Sequence, residues 1–193
     1  MKKFINLGTV NLGNLKKIHA FIHNFFENKN KLENFPSYTE ILTNMDLSKG
    51  NDLICMKYGT KNMFYTVKGE ILKSLFDDWN SIQYWVESHV GKTIHDIPVI
   101  TLCENHIFRH HDLKRDCTVN VGLLNTEESL TCFWEKNNLI DFVNYTVGEG
   151  ILANVKNEHS VIINDSPSHW KKRSILMWTP VDSYEHIVKR IRT

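Results

Sequence analysis

After Gly91 the apolar residues of this chain stop recurring at helical spacing and fall into seven short runs: Ile97 to Cys103, Cys117 to Leu124, Leu130 to Trp134, Phe142 to Val147, Ile151 to Val155, His159 to Ile163 and Arg173 to Trp178. Each run is bounded by polar residues or by Gly/Pro punctuation, which is how short strands are written in a sequence. Seven of them in succession suggest an all-β barrel or sandwich.

The first half reads differently. From Asn14 to about Glu27, Leu15, Ile18, Phe21, Ile22, Phe25 and Phe26 recur at steps of three and four. That is the mark of an amphipathic helix with one face on a sheet. The polar stretch Asn28 to Glu33 ends it, and Ser37 N-caps a second short helix near Tyr38 to Met45. Leu53 to Tyr58 and Met63 to Val67 read as a strand pair around Gly59-Thr60-Lys61-Asn62. Phe76, Trp79, Ile82, Trp85 and Val86 form the apolar face of a third helix that Gly91 stops. A last helix, from about Asp182 to Ile191, is capped by Asp182 or Ser183. The layout is α+β, expected as a single domain: a helix-rich part over 1–92, a β core over 93–180 and a closing helix over 181–193.

At 193 residues the chain can bury a real core without staples. A formal net charge of +1 gives no electrostatic case for nucleic acid or a membrane surface as partner. Cys55, Cys103, Cys117 and Cys132 form no Cys-x-x-Cys pair, and free thiols are expected. No apolar run approaches the roughly 20 residues that span a bilayer, and Met1-Lys2-Lys3-Phe4 opens no signal-peptide core. A cytoplasmic location is the expectation.

The chemistry concentrates at His110-His111-Asp112. Residues i and i+2 of a strand point the same way, so His110 and Asp112 can converge on one metal while His111 points away. His159 opens a later strand that can bring a second imidazole to the same point. Two histidines and one carboxylate on one face leave three coordination positions open, the facial triad of non-haem Fe(II) oxygenases. A dicarboxylic cosubstrate needs a cation beyond the metal, and the guanidinium of Arg173, on one strand face with Ile175 and Met177, has the right fork. Thr118 and Asn120 share a face while Cys117, Val119 and Val121 take the apolar side, so both can offer the cosubstrate polar contacts.

The segment His110-x-Asp112-x-x-Arg115-x-Cys117-x-x-Asn120, followed by Gly122-Leu123, resembles the iron-binding segment of Fe(II)/2-oxoglutarate-dependent dioxygenases. Within them it is most similar to a bacterial and phage group related to aspartyl/asparaginyl β-hydroxylases. Leu152-x-Asn154, His159-Ser160-Val161, Asn164 and Arg173 resemble that group's second half in order and spacing. The resemblance spans roughly Ile97 to Trp178. It implies a double-stranded β-helix of the jelly-roll or cupin kind, with the N-terminal helices and the closing helix packed on it. It further implies Fe(II) on His110, Asp112 and His159, and 2-oxoglutarate on Arg173 with help from Asn120. Dioxygen would be the co-reactant, ascorbate a possible accessory, and succinate and carbon dioxide the by-products of hydroxylating a small molecule or a protein side chain. The family's Arg-x-Ser pattern is broken by Ile175 and is met, one residue out of phase, by Lys172-x-Ser174. Spacing from His159 favours Arg173, with Lys172 the alternative. An acid at 112, where a halogenating relative carries a small residue, favours hydroxylation.

Other readings compete. Adjacent His111-Asp112 matches an HD-type phosphohydrolase, but that pair sits on a helix and this one lies among strands. A cupin-like isomerase or metal-binding protein can use the same three ligands but has no need of Arg173 at this spacing, and an interaction protein could keep the motif as a relic. Arg115 either bridges the Asp112 carboxylate or faces solvent. Trp134 and Trp178 are core by default, and His106 is the remaining histidine placed to meet a substrate.

Overall fold

The computed structural model describes residues 2–28, 53–58, 61–67, 73–94, 99–103, 106–112, 115–163 and 172–192. Along the chain run β1 (Phe4–Thr9), α1 (Leu15–Asn28), β2 (Leu53–Tyr58), β3 (Lys61–Val67), α2 (Trp79–Val90), β4 (Val99–Cys103), β5 (Ile107–His110), β6 (Cys117–Leu124), β7 (Ser129–Glu135), β8 (Asn138–Val143), β9 (Glu149–Asn154), β10 (Glu158–Ile163), β11 (Arg173–Trp178) and α3 (Tyr184–Ile191). The strands form two antiparallel sheets, a large one in the order β1-β9-β6-β11-β4-β3-β2 and a small one in the order β5-β10-β7-β8. Together they make the jelly-roll, or double-stranded β-helix, of the expected α+β class.

Strand β6 explains the layering. Cys117, Val119, Val121 and Leu123 belong to one apolar cluster with Ile18 and Ile22 of α1, Ile82, Val86 and Val90 of α2, and Ile187 and Val188 of α3. The helices therefore cover the outer face of the large sheet. The inner face meets the small sheet through a second cluster of Phe133, Val143, Tyr145, Ile151, Ala153, Val155 and Ile175. Strand β6 is buried on both sides from Cys117 to Leu123, with polar Thr118 and Asn120 on its inner face, and each fully buried aliphatic or aromatic side chain contributes about 1.5–3 kcal/mol. Trp178 is core, as its type predicts: it stacks on Trp79 and donates its indole N–H to Gln83 Oε1. Trp134 instead lies on the outer face of the small sheet, under the Arg109 guanidinium at 3.7 Å.

Sequence and structure part company at three strands. Strand β1 pairs with β9 at one edge of the large sheet, and its Asn6 to Gly8 bulge hides the alternation that would have marked it. Strand β5 has four residues and one strongly apolar side chain facing in, too little for a pattern. The expected strand at Phe142 to Val147 is really β8 at Asn138–Val143, because β7 turns back through Lys136-Asn137. Both turn residues have positive φ, 48° and 69°, the geometry of a tight two-residue hairpin. Lys-Asn is a weaker turn signal than Asn-Gly. The strand pair expected within residues 1–92 forms as β2 and β3 at one edge of the large sheet, and β1 adds the other edge. Tyr38 to Met45 lies outside the described residues.

The helix ends follow local chemistry. Asp78 caps α2 by accepting the Ser81 N–H at 3.0 Å, and Gly91 ends it at φ 75°. Ser183 caps α3 through His186 N–H. At Gly122 the loop after Tyr145 crosses β6 so closely that a Cβ would stand 2.4 Å from Thr146 O and 2.5 Å from Thr126 Oγ1. Backbone cannot give way cheaply there. Gly122→Ala is expected to cost about 1–3 kcal/mol, read as a melting temperature several degrees lower with secondary structure retained.

Candidate metal and cosubstrate site

Strand β10 begins where β5 ends. His159 is paired with His110, and their ring centroids lie 4.2 Å apart. His159 opposes Phe133, and both point between the sheets. Strand β5 stops at His110, so Asp112 is held not by strand pairing but by its backbone N–H, which donates to Val155 O at 3.0 Å. The turn between β9 and β10 carries both sides of the site. Its Val155 carbonyl fixes Asp112, its Asn157 carbonyl takes His159 Nδ1 at 2.9 Å, and Lys3 Nζ braces it through Asn157 Oδ1 at 3.0 Å.

The hydrogen bonds decide which atoms remain to bind a metal. A carbonyl only accepts, so His159 Nδ1 carries a proton, and so does His110 Nδ1, which donates to Phe108 O at 2.7 Å. With Nδ1 so engaged, Nε2 is the nitrogen each ring has left to offer a metal. Burial holds the His159 imidazole down to about 4, with the neighbouring His110 adding to the effect, so the ring is neutral at pH 7 and in the form a metal takes. Asp112 Oδ2 accepts Arg115 Nε–H at 2.6 Å, while Oδ1 lies 3.8 Å from His110 Nε2. One donor atom from each of His110, Asp112 and His159 falls within 4.8 Å of the others. Two imidazole nitrogens and one carboxylate oxygen are a donor set suited to Fe(II). His111 is exposed and stands outside the group.

Deeper between the sheets lies Arg173, 2% exposed. Strand pairing sets it opposite Cys103, and period two sets it on the inner face with Ile175. Its Nη2 donates to Tyr145 Oη at 2.6 Å and to Thr131 Oγ1 at 3.2 Å, whereas Nε has no partner. No carboxylate among the described residues pairs with it. Burial raises the Cys103 thiol to about 11 and raises the Tyr145 hydroxyl, so both neighbours stay neutral at pH 7 despite the cation beside them. A buried guanidinium without a counter-charge costs several kcal/mol, and an anion drawn to it would offset that cost. Lys172 precedes the strand and is one residue out of phase with this inner face.

Thr118, Asn120 and Thr101 complete the inner wall. Each pairs across the large sheet with an inward residue: Thr118 with Ala153, Asn120 with Met177 and Thr101 with Ile175. Each is buried, with Thr118 Oγ1, Asn120 Oδ1 and Thr101 Oγ1 lacking a hydrogen-bond partner in the protein. Unpaired buried acceptors and hydroxyls mark a wall that a polar ligand can satisfy. Sequence reasoning found Thr118 and Asn120 but missed Thr101, Thr131 and Tyr145. Thr131 and Thr101 had a findable signal, each being a polar residue in an inward position of its strand. Tyr145 follows β8 in irregular chain and carried none. His106 is exposed, and its Nδ1 accepts Ile163 N–H at 3.0 Å.

No protein-family model matches the chain, and no curated protein matches it by sequence. Solved structures do match. The non-haem α-ketoglutarate-dependent epimerase SnoN from nogalamycin biosynthesis is 13% identical over 93% of this chain and 78% of its own, with a TM-score of 0.53. The non-haem α-ketoglutarate-dependent carbocyclase SnoK from the same biosynthesis is 12% identical over 94% and 81%, with a TM-score of 0.52. At these identities the likeness is one of fold, and it carries the chain's double-stranded β-helix architecture as its conclusion.

Proposed function

We propose that this protein is an Fe(II)- and 2-oxoglutarate-dependent oxygenase that hydroxylates a C–H bond. The observation that carries the reading is the pairing of His110, Asp112 and His159, whose donor atoms converge, with a buried Arg173 between the same two sheets that has no carboxylate partner among the described residues. Arg173 bonds Thr131, two residues from the Phe133 that opposes His159, so the two features are separated by about 7 Å along the strand. A short diacid that chelates at one end and carries a carboxylate at the other spans such a gap. The likeness of the His110 segment to aspartyl/asparaginyl β-hydroxylases belongs to this proposal and rests on those residues alone.

When bound, Fe(II) supplies the dioxygen chemistry that couples decarboxylation of 2-oxoglutarate to oxidation of a substrate. The chain's own work is positioning. His110 and His159 are locked in one tautomer by the Phe108 and Asn157 carbonyls, which raises their basicity as ligands. Arg173, Tyr145 and Thr131 receive the distal carboxylate, and Phe133 and Ile175 contribute apolar side chains to the cluster beside them, which keeps bulk water from the space between the sheets. Asn120 and Thr118 offer polar contacts on the opposite wall.

Conversion of 2-oxoglutarate to succinate, followed by NMR with Fe(II) and dioxygen, tests the reading. Turnover that needs Fe(II) and stops with a chelator is expected; a metal-independent rate overturns the Fe(II) reading, and no turnover with Fe(II) across candidate peptides and small metabolites argues for a cupin-like binding protein instead. Because SnoN is an epimerase and SnoK a carbocyclase, the product assay should look for epimerised and cyclised products as well as hydroxylated ones. Tyr145→Phe removes the 2.6 Å bond that aims Arg173 and is expected to weaken 2-oxoglutarate binding about five- to tenfold, a loss of about 1 kcal/mol. Calorimetric titration of the Mn(II)-loaded protein measures it.

A further inference from the structure

We propose that Arg115 is a positioning residue that fixes Asp112 as a one-oxygen ligand and so keeps the metal's open side wide enough for a chelating cosubstrate. The inference rests on the functional reading above. A carboxylate can bind a metal through one oxygen or through both, and nothing in Asp112 itself chooses. Arg115 does: its Nε–H donates to Oδ2 at 2.6 Å, a short charge-assisted bond that occupies one oxygen and leaves Oδ1 toward His110 Nε2.

The clamp is itself held. Arg115 Nη1 lies 3.5 Å from Sδ of Met177 on β11, and Cys117, two residues on, starts the buried strand β6. Asp112 cannot retreat from it, since its backbone N–H is tied to Val155 O. With Asp112 and Arg115 side chains only 14% and 29% exposed, the pair is partly shielded from the screening that makes surface ion pairs weak.

Coordination number gives this bond a functional meaning. An octahedral ion with three protein donors keeps three positions, and a 2-oxo acid that chelates through two atoms leaves one. A second oxygen from Asp112 would remove that last position. Arg115 thus acts through Asp112, without touching the cosubstrate.

The test is the Mn(II)-minus-apo infrared difference spectrum of the full chain, with Asp112→Ala identifying the Asp112 bands. A carboxylate bound through one oxygen shows a wide separation between its antisymmetric and symmetric stretches; binding through both narrows it. The wide separation is expected in the wild type. It should narrow in Arg115→Ala and in Arg115→Met, which keeps the side chain's bulk against Met177, and be largely restored in Arg115→Lys. Binding of 2-oxoglutarate to the Mn(II)-loaded Ala and Met variants should weaken about tenfold or more. An equal separation in wild type and both variants, or a narrow one in the wild type, overturns the proposal. Failure of the Mn(II)-loaded wild type to bind 2-oxoglutarate would instead overturn the functional reading, while the infrared comparison still decides whether Arg115 sets the binding mode.

Discussion

Arg173→Met is expected to lose 2-oxoglutarate binding by a factor of about 100 or more while the protein keeps its metal and becomes no less stable. Two charge-assisted hydrogen bonds to a carboxylate contribute about 3 kcal/mol or more together, which is roughly a hundredfold in affinity. The metal should be unaffected because Arg173 bonds Tyr145 and Thr131, not the three convergent donors. The stability expectation is the more discriminating half. A structural arginine that loses an ion pair costs several kcal/mol, but among the described residues Arg173 has no counter-charge to orphan, only the Tyr145 and Thr131 hydroxyls, and an apolar side chain of similar length relieves a buried cation that outweighs them. Thermal melts of the metal-loaded proteins with and without 2-oxoglutarate read both effects. Wild type should gain stability with the ligand and the variant should not. Arg173→Lys, with a point charge in place of a fork, should fall between them. Lys172→Ala should change nothing; if it abolishes binding while Arg173→Met does not, the anchor lies one residue earlier than assigned.

The second large effect concerns the donors themselves. Replacing His110, Asp112 or His159 by alanine is expected to strip Fe(II) from the protein at micromolar metal and to lower turnover by on the order of 10³-fold or more, since metal polarisation supplies several kcal/mol. The three should not behave alike in the apo protein. His159 is buried and neutral, so His159→Ala leaves a cavity beside Phe133 and should lower the melting temperature. His110 lies at a strand end and is a third exposed, so His110→Ala should leave apo stability nearly unchanged. Asp112→Ala frees Arg115 from its only ion pair among the described residues at the edge of the site, and a small loss is expected. Metal content by elemental analysis and apo melting curves separate ligand loss from misfolding.

Much of this candidate site could be read from the chain because His110, His159 and Arg173 lie at strand positions where sequence spacing is informative. His110 and Asp112 are two apart, and His159 and Arg173 open strands whose bounds the sequence marks well. What spacing cannot supply is which residues meet across the two sheets. Tyr145 and Thr131 reach Arg173 from the small-sheet side, an encounter set by how the sheets pack and by no period along the chain. Arg115 was legible only as an even choice between Asp112 and solvent, because Asp112 proved to follow the strand end instead of lying in it, and loop geometry is not written in alternation. The fold shows the same division. Strand β6 was found to the residue, whereas β1, β5 and β8 were missed or shifted by a bulge, by shortness and by a Lys-Asn turn.

One titration bears on the whole account: anaerobic addition of 2-oxoglutarate to the Fe(II)-loaded protein, watched in the visible region. Chelation of Fe(II) by a 2-oxo acid produces a charge-transfer absorption that neither partner shows alone. A saturable band at one equivalent of iron, absent in Asp112→Ala and shifted to about 100-fold higher ligand concentration in Arg173→Met, is the predicted result. Full iron occupancy with no band at any 2-oxoglutarate concentration would contradict it.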